Sequence, residues 1–293
     1  MSYSLLFAFL APVIWGFMNV FDKYVLAHKV KNTLGFVVVT GIANLLFGLG
    51  LGLSLEWPEL KAEQLLYPIM AGIFFGIQFY FYYLILKKED VSYMVGLVFT
   101  YPLIVALLSW TFLAERLSLI GYLGIILILV GVVLLHGRLK LHLETKLWML
   151  GTMILLVAGS EFFIKIATTT LPALHGIAIN NVMISLTLFP GLLHQKTRRG
   201  FWKELKNIRW AFASEFLTFS AIFSLYFAMK GLPATIVSSI SSLQALAVVI
   251  FERIAHHKYG KITKDTLLRP KLIAILLIVI GVCVLYLSEL IHL

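Results

Sequence analysis

Two charged side chains inside a long apolar run carry the strongest chemical signal in the sequence. Glu161 and Lys165 stand four residues apart in 147–170, so on an α-helix they share a face and are able to pair. An ionised group at the centre of a bilayer costs about 2.5–3.5 kcal/mol unless it is paired or hydrated. These residues therefore predict either a binding site for substrate and protons or a purely structural ion pair. Lys165 reaching toward the membrane interface is a further alternative.

Polar groups toward the end of the first apolar run are the next candidates. Asn19 lies four residues after Trp15, and both are predicted to contact substrate. Asp22 and Lys23 stand close to the membrane boundary, where charges are ordinary. Glu215 lies near the start of the run 209–229. It is predicted either to couple protons or to lie at the level of the lipid headgroups.

Amide, aromatic and hydroxyl side chains complete the predicted site. Gln78 and Tyr82 fall on one face of the run 65–86, where an aromatic box would attract a cation. An interfacial aromatic belt is the alternative for Tyr82. Small polar residues crowd the segment 235–246, and such groups either join helices or line a wet cavity. The residues predicted to bind substrate are Trp15, Asn19, Gln78, Tyr82, Tyr101, Glu161, Lys165, Ser239 and Gln244, and those predicted to couple protons are Glu161 and Glu215.

Ten apolar runs must position these residues. Each run has about 20 residues, which at about 1.5 Å per residue cross a hydrocarbon core of about 30 Å. The chain is 60% hydrophobic and 13% charged, and its mean hydropathy is +0.96, as is typical of membrane proteins. We predict an all-α integral membrane protein with ten transmembrane helices in the lipid bilayer. The runs cover 4–26, 33–55, 65–86, 91–114, 117–136, 147–170, 176–194, 209–229, 234–252 and 270–290.

Lysine and arginine are distributed unevenly among the links between the runs. Twenty of the 24 lie in or beside the links that follow runs 1, 3, 5, 7 and 9. The positive-inside rule places those links in the cytoplasm and both termini outside the cell membrane. Because anionic lipid headgroups account for the net charge of +10, we expect no nucleic-acid partner.

The two halves of the chain resemble each other. Run 4 ends in 112-FLAERLS-118 and run 9 in 250-IFERIAH-256, while runs 5 and 10 close with 131-GVVLLHG-137 and 281-GVCVLYL-287. An odd number of runs in each half inverts the second copy relative to the first. We therefore predict two inverted five-helix repeats, at 1–140 and 141–293.

The segment 91–135 is similar to the EamA repeat of the drug/metabolite transporter (DMT) superfamily. In that repeat a proline precedes a Glu-Arg-hydrophobic-Ser element and a glycine-rich helix that ends in Gly-Val. The resemblance implies a secondary transporter of small metabolites, with a central cavity built from runs 1, 3, 4, 6, 8 and 9. The matching residues are Pro102, Glu115, Arg116, Leu117, Ser118, Gly124 and Gly131, together with Trp15 and Gly16 in run 1.

The predicted function is transport of small polar or amphiphilic metabolites, such as amino acids, by alternating access, with proton coupling as an option. A carrier of choline-like organic cations is the alternative, and a non-transporting membrane scaffold is a further one. The sequence contains no Walker A motif, nucleophile elbow or metal-ligand spacing. We therefore expect no ATP-driven step, no enzymatic activity and no cofactor, in a monomer or weak homodimer.

Overall fold

The computed structural model describes residues 2–89, 91–116, 118–135, 147–259 and 268–290. Leu117, the predicted repeat boundary at residue 140 and residues 260–267 of the last basic link lie outside the described residues. The described α-helices are α1 (Ser2–His28), α2 (Thr33–Leu53), α3 (Ala62–Lys88), α4 (Val91–Val98), α5 (Tyr101–Phe112), α6 (Leu119–Leu135), α7 (Leu147–Thr170), α8 (Ala173–Leu188), α9 (Gln195–Glu204), α10 (Ile208–Gly231), α11 (Ala234–Ser241), α12 (Leu243–Tyr259) and α13 (Leu268–Leu290).

Seven stretches of the described chain are long and apolar enough to cross a membrane. They comprise α1, α2, α3, α7, α8 with the turn after it, α9 with α10, and α11 with α12, while shorter apolar helices lie in α5, α6 and α13. Large apolar side chains such as Leu107, Ile126 and Leu276 are exposed, as expected of a surface solvated by lipid. The prediction of an all-helical membrane protein is confirmed, and each predicted run overlaps one helix or two consecutive helices.

Two of the predicted runs are broken helices. Run 4 divides into α4 and α5 where Pro102, which has no N–H to donate, follows the break. Run 9 divides at Ser242 into α11 and α12 with no proline at the break. One turn earlier, Ser239 Oγ donates to the Thr235 carbonyl at 2.7 Å. Such side-chain bonds compete with the regular helical pattern and bend helices.

Hydrogen bonds gather the helix ends into two sets. In one set, Glu204 at the end of α9 accepts from the backbone N–H groups of Lys31 (3.0 Å) and Asn32 (2.8 Å). In the other, Gln64 at the start of α3 donates to the Thr170 carbonyl at the end of α7 (2.7 Å). The links that follow α1 and α8 therefore contact each other, and the links that follow α2 and α7 form a separate group of contacts.

The helices pack in pairs that join the two halves of the chain. α1 packs on α10, α2 on α8, α3 on α7, and α6 on α13. Because each pair combines an early helix with a late one, the halves interleave instead of folding as separate domains. The broken helices α4–α5 and α11–α12 also contact each other, and a cavity lies among α1, α3, α4, α5, α7 and α12.

Candidate functional site

The cavity contains most of the residues that the sequence predicts to bind substrate. It holds about 620 Å³ of empty space, its open part included. Six of its lining residues are aromatic and three are methionines, so its wall is largely apolar and polarisable. Seven of the nine predicted residues line it, namely Trp15, Asn19, Gln78, Tyr82, Tyr101, Glu161 and Gln244.

Three buried polar atoms on lining residues have no hydrogen-bond partner in the described part of the chain. They are Asn19 Nδ2, Gln78 Oε1 and Glu161 Oε2. Glu161 is only 3% exposed, and its other oxygen accepts a 2.8 Å hydrogen bond from the Tyr101 hydroxyl. A buried polar group left unpaired costs about 1–3 kcal/mol. One donor and two acceptors around one cavity are thus free to bond to a polar ligand.

Aromatic rings form much of the remaining wall. Trp15 stacks on Phe75 with 6.5 Å between ring centroids, and Phe75 meets Phe79 edge-on at 5.2 Å. None of the residues lining the described cavity is lysine or arginine, so Glu161 supplies the formal charge there. Ring faces attract cations and tolerate apolar groups. The cavity therefore suits an amphiphilic ligand that carries a hydrogen-bond donor or a positive charge.

The broken helices bring distant parts of the sequence to this cavity. Phe99 and Tyr101, on either side of the break between α4 and α5, both line it. Gln244, just after the break between α11 and α12, lines it as well. Interrupted helices are tolerated at membrane depth where the freed backbone groups border protein or a cavity. The breaks thus place side chains of both halves around the same space.

Lys165 does not pair with Glu161, contrary to the pairing that their spacing allows. Its Nζ donates to the carbonyls of Met229 (2.9 Å) and Leu232 (2.8 Å) at the end of α10, and it lies 3.9 Å from Glu115 Oε1. The last carbonyls of a helix lack intrahelical donors, and the helix dipole attracts a cation to that end. Lys165 therefore joins α7 to α10 and does not line the cavity.

Ser239 and Glu215 also lie outside the cavity lining. Ser239 is buried, and its hydroxyl is bound to the Thr235 carbonyl of its own helix. Glu215 is fully buried, which argues against the headgroup level, and accepts a 2.8 Å hydrogen bond from Asn44. Tyr82, by contrast, is 4% exposed and lines the cavity, so it does not belong to an interfacial belt.

Asp22 is a further candidate, which its position in the sequence does not favour. Its place near the expected membrane boundary indicated an ordinary surface charge, yet it is only 1% exposed. The Tyr82 hydroxyl donates to Asn19 Oδ1 (2.9 Å) and to Asp22 Oδ2 (3.0 Å), and Ser214 Oγ donates to Asp22 Oδ1 (2.5 Å). The available signal was the i, i+3 spacing of Asn19 and Asp22, which puts both on one helix face.

Comparison with known proteins finds one family that is similar to the first part of the chain. The model of the EamA-like transporter family matches residues 2–137, and no curated protein matches the chain. A solved structure entitled "Crystal structure of protein" has a TM-score of 0.66 and 16% sequence identity, over 98% of this chain and 99% of that one. That likeness shows the shared fold and carries nothing about activity. The match covers a little less than half of the chain, and it supports an EamA-type transporter of the drug/metabolite transporter superfamily.

Proposed function

We propose that the chain crosses the membrane ten times, as two inverted five-helix repeats. Equivalent lysines support this arrangement. Lys23 on α1 donates to the carbonyls of Leu86 (2.8 Å) and Glu89 (2.7 Å) at the end of α3. Lys165 on α7 makes the corresponding two bonds to the end of α10. If the two repeats are exchanged, α1 takes the place of α7 and α3 takes the place of α10. The two hydrogen bonds of Lys23 then correspond to the two hydrogen bonds of Lys165.

The contact between the last helices of the two repeats supports the same arrangement. A Cβ atom on Gly281 of α13 would lie 2.7 Å from the Gly124 oxygen of α6, and one on Gly131 would lie 2.8 Å from the Ala274 oxygen. The sequence repeat equates Gly131 with Gly281, and hence Gly124 with Ala274. When the two halves are exchanged, the contact of Gly281 with Gly124 therefore becomes the contact of Gly131 with Ala274. The two helices run antiparallel, as inverted copies require.

On this scaffold the chain acts as a secondary transporter that moves a small metabolite by alternating access. The observation that carries the proposal is the cavity between the repeats with its three unpaired polar atoms. A ligand that accepts from Asn19 and donates to Gln78 and Glu161 would satisfy all three. Small polar or amphiphilic metabolites such as amino acids, which combine donors, acceptors and an apolar part, meet this requirement.

A carrier of organic cations is the second candidate, and a specific observation favours it. The cavity wall holds the Glu161 carboxylate and six aromatic residues, and no basic side chain is among its described lining residues. A desolvated cation over an aromatic ring gains about 2 kcal/mol. A quaternary ammonium group would gain from the rings and the carboxylate, although it has no N–H to donate to Gln78.

A thermal-shift screen of the purified chain against amino acids and choline-like compounds tests both candidates. A ligand at 100 times its Kd stabilises the folded state by about 2.7 kcal/mol. We expect one of the two compound classes to raise the melting temperature, and Glu161→Gln to abolish the shift. Glu63→Gln, at an exposed position of α3, is the matched control and should retain it.

Uptake into proteoliposomes then separates transport from binding. A transporter should accumulate or exchange the stabilising compound, and Glu161→Gln should lose that activity while the protein remains folded. A chain that binds neither class and moves nothing would contradict the proposal and favour a membrane scaffold.

A further inference from the structure

Two buried carboxylates lie close together outside the cavity. Asp22 of α1 is 1% exposed and Glu215 of α10 is 0% exposed, and Ser214, the neighbour of Glu215 in α10, donates a hydrogen bond to Asp22 Oδ1. Both oxygens of Asp22 already accept hydrogen bonds, from Ser214 and from Tyr82. Neither carboxylate is among the residues that line the cavity. The cluster is therefore separate from the site around Glu161.

Two acceptor atoms of this cluster lack a donor. Glu215 Oε2 accepts from Asn44 Nδ2 at 2.8 Å, whereas Glu215 Oε1 and Asn44 Oδ1 are buried without a partner in the described part of the chain. Asn44 is itself 0% exposed. Buried acceptors of this kind are normally satisfied, so the cluster is incomplete by at least one donor hydrogen.

The groups around the cluster come from four helices. α2 contributes Asn44 and the Thr40 hydroxyl, which donates to the Val37 carbonyl. α3 contributes Tyr82 and Tyr83, and the Tyr83 hydroxyl lies 3.3 Å from Ser214 Oγ.

On α10, the hydroxyl of Thr218 contacts the Ser214 carbonyl and Met18 Sδ. On α1, the Lys23 ammonium donates to the two carbonyls at the end of α3. α12 also packs on α1 and carries one buried carboxylate, Glu252.

We propose that Asp22 and Glu215 together form a binding site for a single proton. Two like charges in a desolvated site oppose each other's ionisation, so one carboxylate retains a proton for the pair. A proton taken from solvent forms an O–H bond on one carboxylate oxygen and removes one negative charge. On Glu215 Oε1 that O–H is the missing donor hydrogen. A metal ion fits less well, because Ser214, Tyr82 and Asn44 already direct donor hydrogens at these oxygens.

Tyr82 connects this proton site to the cavity. Its one hydroxyl hydrogen is directed at Asn19 in the cavity wall and at Asp22 in the cluster. A ligand that binds Asn19 changes how strongly Tyr82 binds Asp22, and protonation of Asp22 changes how Tyr82 holds Asn19. Such coupling is reciprocal. The proton site stands by itself, whereas its role in driving transport rests on the proposed function.

Infrared spectroscopy of the full chain in lipid nanodiscs, titrated with pH, tests the proposal without any substrate. Glu161→Gln serves as the parent protein, so that the cavity carboxylate does not contribute. We expect Asp22→Asn alone and Glu215→Gln alone each to shift the loss of the carboxylic C=O band to lower pH. Each does so because the remaining carboxylate, although still desolvated, no longer faces a like charge. Glu56→Gln, at an exposed position, should leave the band unchanged.

Four results would overturn the proposal. An unchanged titration of the band in both variants, or a shift in only one of them, would show that the carboxylates do not share a proton. Loss of the band on adding Na⁺ at constant pH would assign the site to a metal ion. If the neutral variants fail to fold, Tyr82→Phe, which keeps both carboxylates, must change the pH at which the band is lost. An unchanged titration in that variant also refutes the site.

Discussion

A double-mutant cycle at Glu161 and Lys165 distinguishes an intramembrane ion pair from two residues with separate tasks. Glu161→Gln keeps an acceptor for the Tyr101 hydroxyl and removes a buried charge, whereas Lys165→Met removes an ammonium that donates to two carbonyls. The two side chains share no partner among these contacts. Because neighbours on one helix face that share no partner couple only weakly, we expect their effects on the free energy of unfolding to add within about 1 kcal/mol.

The contacts also set the size of each single effect. Lys165→Met removes two hydrogen bonds from a charged donor, each contributing about 1.5–3 kcal/mol. Relief of about 2.5–3.5 kcal/mol for a charge held at membrane depth offsets much of that sum, which leaves a net loss of roughly 0–3.5 kcal/mol. Glu161→Gln replaces a charge-assisted hydrogen bond by a neutral one and relieves a buried charge. It should change stability by less than about 1 kcal/mol.

Denaturant unfolding in mixed micelles, followed by circular dichroism, measures the cycle. Lys230→Met, at an exposed position of α10, is the matched control and should stay within about 0.5 kcal/mol of the parent. A coupling energy above about 1 kcal/mol, or a double mutant more stable than Lys165→Met alone by that amount, would refute this reasoning. It would place Glu161 and Lys165 in one ion pair.

Two further predictions concern orientation and helix packing. Because the basic residues concentrate in the links after runs 1, 3, 5, 7 and 9, a C-terminal alkaline phosphatase fusion should be active and a green fluorescent fusion dark; the opposite pattern contradicts the orientation. Gly281→Val should destabilise the chain by about 1–3 kcal/mol through overpacking, since its Cβ would lie 2.7 Å from the Gly124 oxygen. Gly50→Ala, with nothing within 4 Å of the added Cβ, should not destabilise it, and equal losses in both variants would argue against a close α6–α13 contact.

The helices were predictable because long apolar runs have few alternatives in a bilayer, where backbone groups must be paired within the segment. The break at Ser242 was not predictable in the same way. Pro102 marks the first break by its missing N–H, whereas the second depends on hydroxyls such as that of Ser239 turning onto their own backbone. Serine in a membrane helix is equally consistent with a helix contact or a wet cavity. The side-chain rotamer determines whether the hydroxyl bonds to its own helix, and the sequence does not give that rotamer.

A cavity residue was predictable where its residue type is energetically costly in a membrane, as for Glu161. The sequence is less informative about which group forms the hydrogen bond or ion pair with such a residue. The i, i+4 spacing of Glu161 and Lys165 establishes that they can meet, but it gives no information on competitors. The end of α10 offers Lys165 two carbonyls that lack helical donors, with Glu115 beside them. The proximity of Lys165 to the end of α10 can be known only from the three-dimensional structure, and the same holds for the burial of Asp22.

Residues at equivalent positions of the two proposed repeats divide according to task. Lys23 and Lys165 are identical and make equivalent bonds, as the pairing of the first and third helix in each repeat requires. Four residues earlier the repeats differ, with Asn19 in α1 and Glu161 in α7, and both of these line the cavity. Each is bonded to a tyrosine hydroxyl, from Tyr82 or Tyr101.

The proposed proton site departs further from the symmetry. Counted by the same equivalence, Asp22 corresponds to Ile164 and Glu215 to Gly72, so the second repeat has no counterpart of the carboxylate pair. The proposed alternating access needs mechanical parts that work alike on both sides, and identical lysines would meet that need. A ligand or proton without two-fold symmetry is bound by unlike groups. The positions where the repeats differ in charge are therefore where the chemistry of this protein is expected.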